Sequence, residues 1–352
     1  MTETIPTILD TDMGYLNDDS IALGVVLGSP EIELLGVSVV AGNLDHDQEV
    51  VDALSMLERF GRPEIPVWPG ADRPLVHERG PYEARGWGRF ATFTPVRHPL
   101  GRPPQGAAST ERAATAISKA ARERPGELTL IAIGPFTNLA LAFALDPELP
   151  GLLRRLVLMG GAVPSFPGGA GNVTPTAEFN VWVDPEAAAM VFRAPVETLL
   201  VTLNVTRQVA YTPQFHRELL RRGGVAANML GERMGAFFDA GADDRDVANF
   251  SNYGLTDSTA VVAALRSDLF EIRRMTAQVD LGHGPAYGTT YLYHPGDLDQ
   301  AKVDNLPGVW DAFIQPHPLG GAVSAPVELD VAWRCRDPDA VRAECLARLC
   351  AL

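Results

Sequence analysis

Lysine is almost missing from this 352-residue chain, which contains only Lys119 and Lys302. Cysteine is scarce as well: Cys335, Cys345 and Cys350 all lie near the C-terminus, spaced unlike a zinc knuckle or a redox pair. A reducing cytoplasm suits them. No apolar run approaches the ~20 residues a bilayer requires, and MTETIPTILD lacks a basic segment followed by an apolar core. Neither membrane insertion nor export is expected. Positive charge is short overall, with 29 basic residues against 44 acidic ones and a formal net charge of −15. Basic pairs such as Arg221-Arg222 form no stripe, so nucleic acid is not an expected partner. Ser/Gly linkers and fixed-period repeats are missing too, and one domain spanning 1–352 is expected.

What the chain does have is 46% hydrophobic residues and enough length for a substantial core. Short apolar runs alternate with amphipathic segments, the pattern of an α/β fold whose largely parallel sheet is covered by helices. Strands are expected at about 7–12, 33–41, 128–134, 154–160 and 197–204. Helices are expected at about 18–28, 47–60, 109–124, 137–145, 185–193, 213–222 and 257–266. Two irregular excursions, 69–106 and 223–253, read as loops that wall a site.

The first expected strand runs into ILDTDMGYLNDDSIAL at 8–23, which crowds Asp10, Asp12, Asp18 and Asp19 together. Like charges at such spacing raise the cost of ionising one another, so a cation is expected nearby. Asp18 taken alone reads as a helix cap. A cap, however, needs one acceptor oxygen, and hard divalent cations take roughly 6–8 for calcium and fewer for magnesium. In an open parallel sheet, ligands sit beyond the carboxyl ends of the strands, where Asp10 and Asp12 fall.

Asp-x-Asp-x-Gly followed by Asp-Asp resembles the signature of the inosine-uridine-preferring nucleoside hydrolases. Further stretches agree in order: VVAGN ending at Asn43, IAIGPFTNLALA at 131–142, MGGAVP with GNVTPTAEFNVWVDPEAA across 159–188, and LTDSTAVVAAL at 255–265. The resemblance implies a single-domain, Rossmann-like, mostly parallel but mixed sheet. It also implies calcium-dependent cleavage of the N-glycosidic bond of a ribonucleoside or related N-riboside, in a homodimer or homotetramer. It puts Asp12, Asp19, Asp257 and the backbone carbonyl of Ile133 on the Ca2+, with Asp12 doubling as catalytic general base. Asp18, Asn43, Asn172, Glu178 and Asn180 are implied ribose contacts, and Asp10 is expected to steer its neighbours from behind. The positive charge that builds on the sugar ring during cleavage would meet preplaced negative charge.

The sequence also departs from the family. Many members carry His-Asp where this chain has Thr256-Asp257, and a threonine hydroxyl cannot replace an imidazole as general acid. None of the seven histidines falls in a motif assignable to the base pocket. Trp87, Tyr253 and Thr256 are therefore the candidates for that pocket, the aromatics by stacking. Met13 stands where proline is usual, and Tyr15-Leu16-Asn17 fills a gap that is often one residue. Asp184, before Pro185, reads as a helix N-cap rather than a catalytic group. Two further readings compete: a noncatalytic ribose or nucleoside binder, and a phosphatase using Asp-Thr-Asp as nucleophile. The second wants a downstream lysine, and neither lysine here sits in a convincing motif.

Overall fold

The computed structural model describes residues 4–76, 96–231, 254–294 and 327–352. Its strands are β1 (Ile5–Thr11), β2 (Ile32–Val39), β3 (Val67–Pro69), β4 (Thr129–Ala132), β5 (Arg155–Met159), β6 (Thr198–Val201), β7 (Phe270–Val279), β8 (Thr290–Tyr293) and β9 (Glu328–Cys335). Among the described residues they form one sheet in the order β3-β2-β1-β4-β5-β6-β9-β7-β8. Pairing is parallel from β3 through β9 and antiparallel where β7 meets β9 and β8. The fold is α/β with a mostly parallel, mixed sheet.

Side chains alternate across a strand, so a sheet with helices on both faces needs apolar residues at successive positions. The central strands supply them. Leu9, Ile131, Val157 and Leu199 stand side by side on one rung and enter one core. Their chain neighbours Ile8, Leu130, Leu156 and Leu200 enter the core on the opposite face. The helix Asp18–Leu27 lies on the first face, packed against helices Thr256–Leu265 and Pro338–Leu349. Nine of its ten residues are buried, so beyond its Asp18-Asp19-Ser20 start it is apolar on every side rather than amphipathic as expected.

The chain leaves β1 for β2 and β3 on one side and then returns to place β4 on the other. The reversal opens a crevice beyond the carboxyl ends of β1 and β4, where doubly wound sheets bind ligands. Polar side chains fix the segments around it. Asn138 donates to Asp10 Oδ2 at 2.8 Å and accepts from the backbone N–H of Ala71 at 2.7 Å. Asp184 caps its helix through Ala187 N at 3.0 Å, and its other oxygen accepts from Thr137 Oγ1 at 2.6 Å and Leu75 N at 2.9 Å. The capping role expected of Asp184 is joined by a second one, tying down the start of the 69–106 excursion.

The structure differs from the sequence reading in several places. The strand expected at 197–204 ends at Val201, and Leu203–Thr206 is a short helix; the Asn204 side chain accepts from Val163 N, holding the turn. Residues 225–231, expected to be irregular, are helical, because Ala226, Ala227, Met229 and Leu230 bury one side of a run of good helix formers. Asn17, not Asp18, caps the first helix, its side chain accepting from Ser20 N at 3.2 Å. Strands β3, β7, β8 and β9 and the last helix are not among the elements expected from sequence. Charge interrupts the apolar alternation of β7 and β9: Arg274 pairs with Asp330 at 3.2 Å, and Arg273 covers the Trp333 ring at 4.3 Å.

Replacing Asp184 with alanine removes a helix cap and leaves the Leu75 N–H without its acceptor. Unfolding by denaturant is expected to show a loss of about 2–4 kcal/mol.

Candidate active site

Strand β1 ends at Thr11, and the chain continues through Asp12 into a loop that returns as the helix beginning Asp18-Asp19. Helix Thr256–Leu265, packed against it, starts with Thr256-Asp257. Two helix N-termini therefore carry acidic first turns that meet over the end of β1, each favoured by its own helix dipole. The loop 42–44 after β2 and the turn at Ile133 after β4 close the sides, and the helix Phe179–Val183 with Asn172 completes the wall.

These segments form a small open cavity of about 40 Å³ lined by Asp12, Asp18, Asp19, Asn43, Ile133, Asn172, Glu178, Asn180, Thr256 and Asp257, together with Met159, Phe179 and Leu203. Residues far apart in sequence thus meet in one place. Asp10 does not line it. That residue is fully buried behind the cavity, accepting from Ser38 Oγ and Asn138 Nδ2, and burial pushes its carboxyl up to about 7. A nucleophile must touch substrate, so this position speaks against the phosphatase reading. Trp87 and Tyr253 lie outside the described residues.

Five of the lining residues are carboxylic acids, and no lysine, arginine or histidine lines the cavity among the described residues. Burial first, then the charges of Asp19, Glu49 and Asp18, hold the Asp12 carboxyl well above its usual range. Asp18 and Asp257 are raised the same way, by burial and then by neighbouring carboxylates. Burial also raises Asp19, although hydrogen bonds from Thr11, Asp12 and Asn17 oppose it. The Asp12 and Asp19 carboxyls lie close enough to influence each other's ionisation, as do those of Asp18 and Asp257.

The individual contacts show what each residue can still offer. Thr11 Oγ1 donates to Asp19 Oδ1, while Asn17 and Asn43 donate to Asp19 Oδ2 at 2.7 and 3.1 Å. Asn43 also donates to the Asp12 carbonyl at 3.0 Å. Asp12 Oδ2 is buried with no hydrogen-bond partner. Gly42 and Gly134 leave it room, since a Cβ on either would press on the Asp12 carboxylate. Glu178 caps Phe179–Val183, accepting from Asn180 N at 2.8 Å and Val181 N at 3.1 Å, and reaches Gly161 N at 2.8 Å. Asn180 Nδ2 donates to the Ile133 carbonyl at 2.8 Å, occupying one of its two lone pairs. Asn172 accepts from Phe179 N at 2.9 Å, and Arg207 grips the carbonyls of Gly168, Ala170 and Gly171 just before it.

An unpartnered buried carboxylate oxygen among acids is the chemistry of a cation site. Asp18, Asp19 and Asp257 each offer an oxygen within 4.8 Å of the others and could hold a metal ion together. Asp12 and Ile133 line the same cavity but stand outside that triple, whereas the family resemblance put Asp12 there in place of Asp18. Sequence reading missed Thr11 and Asn17, which join Asn43 in donating to Asp19, and the apolar walls Met159, Phe179 and Leu203. Thr11 sits inside the Asp-Thr-Asp motif and Phe179 between Glu178 and Asn180, so their position was the available signal. Glu49 gave none.

Fold and cavity together define an α/β enzyme with an acidic, cation-seeking site at its topological switch point. The sequence profile of the inosine-uridine preferring nucleoside hydrolases matches residues 7–312. Pyrimidine-specific ribonucleoside hydrolase RihB from Shigella sonnei (strain Ss046) is 32% identical over 296 residues, which is 83% of this chain and 88% of that protein. The RihB of Escherichia coli (strain K12 / DH10B) matches to the same extent. Among solved structures, the plant nucleoside hydrolase PpNRh1 superposes with a TM-score of 0.73 at 27% identity, covering 99% of both chains. A purine-preferring ribonucleoside hydrolase from Gardnerella vaginalis gives 0.75 at 25% identity, covering 98% of both. The chain belongs to the nucleoside hydrolase family and is an N-glycosyl hydrolase.

The raised carboxyls set a pH dependence. The native state holds protons that the unfolded chain has already lost, so without a divalent cation stability falls as pH rises above 3.8, with Asp10 contributing up to about 7. A bound cation favours the charged forms and offsets that fall. Thermal melts in chelator and in calcium should therefore diverge as the buffer moves from about pH 5 to about pH 8.

Proposed function

We propose that this enzyme hydrolyses the N-glycosidic bond of a ribonucleoside with a calcium ion held by Asp12, Asp19, Asp257 and the Ile133 carbonyl. The observation that carries this reading is the cavity itself: five acids, no cationic side chain among the described residues, and an unpartnered oxygen on Asp12. When bound, the ion would neutralise the carboxylates, bind sugar hydroxyls and lower the pKa of a water. Calcium as the particular ion follows from the family resemblance and from the all-oxygen donor set.

Asp12 accepts the proton of the attacking water through Oδ2. The water oxygen bonds to C1′, the C1′–N bond breaks, and its electron pair leaves with the base. Asp18, Asn43, Asn172, Glu178 and Asn180 hold the ribose hydroxyls. Their existing bonds suit this division: Asn172 accepts from Phe179 N, leaving its amide nitrogen to donate, and Glu178 is fixed by three backbone N–H groups. The carboxylates in excess of the ion's charge stabilise the positive ring that develops as the bond stretches. Thr256 lines the cavity where many relatives carry histidine. Its hydroxyl can hydrogen-bond the base but cannot act as an acid near neutral pH. The same resemblance supports a homodimer or homotetramer, and the cysteine usage supports a cytoplasmic setting.

Purine, pyrimidine and modified ribonucleosides, assayed for free ribose with calcium present, test this reading and identify the base or other aglycone. Binding without any ribose release would make the protein a binder instead. Asp12→Ala is expected to lower kcat by about 10²–10⁴-fold, the usual contribution of a general base, and to weaken calcium in calorimetry. Thr256→Ala is expected to leave calcium affinity at the wild-type value.

A further inference from the structure

Glu49 lies in the helix His46–Arg59, is fully buried, and belongs to none of the motifs that carry the family resemblance. Its Oε1 accepts the backbone N–H of Gly42 at 3.1 Å and of Leu44 at 2.8 Å. Those two residues flank Asn43, whose side chain bonds the Asp12 carbonyl and Asp19 Oδ2. One buried carboxylate thus holds both ends of the peptide unit that presents Asn43 to the acidic cavity. The remaining oxygen of Glu49 is buried with no hydrogen-bond partner. A buried acid facing further acids is costly, and packing alone would be served better by leucine.

The same helix grips the other acidic segment. Asp52, three residues on and on the same face, accepts Tyr15 N at 3.0 Å, and Arg59 donates to the Tyr15 hydroxyl. Tyr15 lies in the 13–17 loop that joins Asp12 to Asp18, where Leu16 adopts a left-handed φ of 60°. Helix His46–Arg59 therefore braces, from behind, both loops whose alignment fixes the carboxylates.

We propose that Glu49 is a positioning residue: it sets Asn43 against Asp12 and Asp19 and so acts on cation and ribose binding without touching either. The effect on turnover rests on the reading of the cavity given above. Glu49→Leu keeps volume but removes the acceptor, whereas Glu49→Gln keeps an acceptor oxygen and removes the charge. In Glu49→Leu, hydrogen exchange at the Gly42 and Leu44 amides should speed up, and KM and the calcium Kd should rise about 10–100-fold, the size seen when residues that orient ligands are lost. Glu49→Gln should restore protection and KM to near wild type. Asn43→Ala combined with Glu49→Leu should be no worse in KM than Asn43→Ala alone, because both act through one side chain.

Wild-type KM and calcium affinity in Glu49→Leu, with only a lower Tm, would overturn the proposal. So would additive KM effects in the double mutant. Should Glu49→Leu not fold, a Glu49→Gln enzyme with KM raised tenfold would overturn it equally. Failure of the underlying functional reading looks different: the wild-type protein would then release no ribose in calcium. The exchange rates at Gly42 and Leu44 test the positioning role even in that case.

Discussion

Mutual repulsion among buried carboxylates is the constraint around which this structure is arranged. Asp12, Asp18, Asp19 and Asp257 are each almost fully buried or nearly so, and neighbouring acids raise the cost of ionising three of them. The fold supplies partial relief. Two helix N-termini point at the cluster, and Thr11, Asn17 and Asn43 donate hydrogen bonds to it. A helix dipole contributes about 0.3–1 kcal/mol, up to ~2 in partly buried settings, whereas an uncompensated buried charge costs several. The residual cost is what suits the cavity to a cation.

Much of the recognisable sequence serves to hold this cluster rather than to line it. Asn138 connects Asp10 to the start of one excursion, and Asp184 connects the same excursion to two helices. Glu178 lines the cavity and also caps the helix that presents Asn180. Residues that resemble a catalytic inventory are thus partly a bracing system, because a cavity lined with like charges would spread if its walls could move.

Among the described residues the cavity combines acids and amides with the Thr256 hydroxyl and with apolar walls in Met159, Phe179 and Leu203. On the proposed reading of the site, such a lining is better suited to stabilising positive charge on a sugar ring than to protonating a departing base.

Local signals were legible without coordinates. Apolar runs of strand length identified β1, β2, β4, β5 and β6, and the helices between them, since a sheet covered on both faces writes its burial directly into the chain. The acids at 10–19 stood out by their crowding, and Asp257 by the family resemblance of its motif. What could not be read was anything decided by contact between distant segments: the strands β9, β7 and β8 beyond β6, where charged residues of β7 and β9 pair across the sheet; the approach of Asp18 to Asp257 and of Asp12 to Asp19; and Glu49, an ordinary helical acid until the fold turns it toward the backbone beside Asn43. Sequence by itself determined which residue types and which strand order-forming segments were available, because those depend on neighbours along the chain. Only the tertiary structure decided which acids became neighbours, because burial and repulsion act through space.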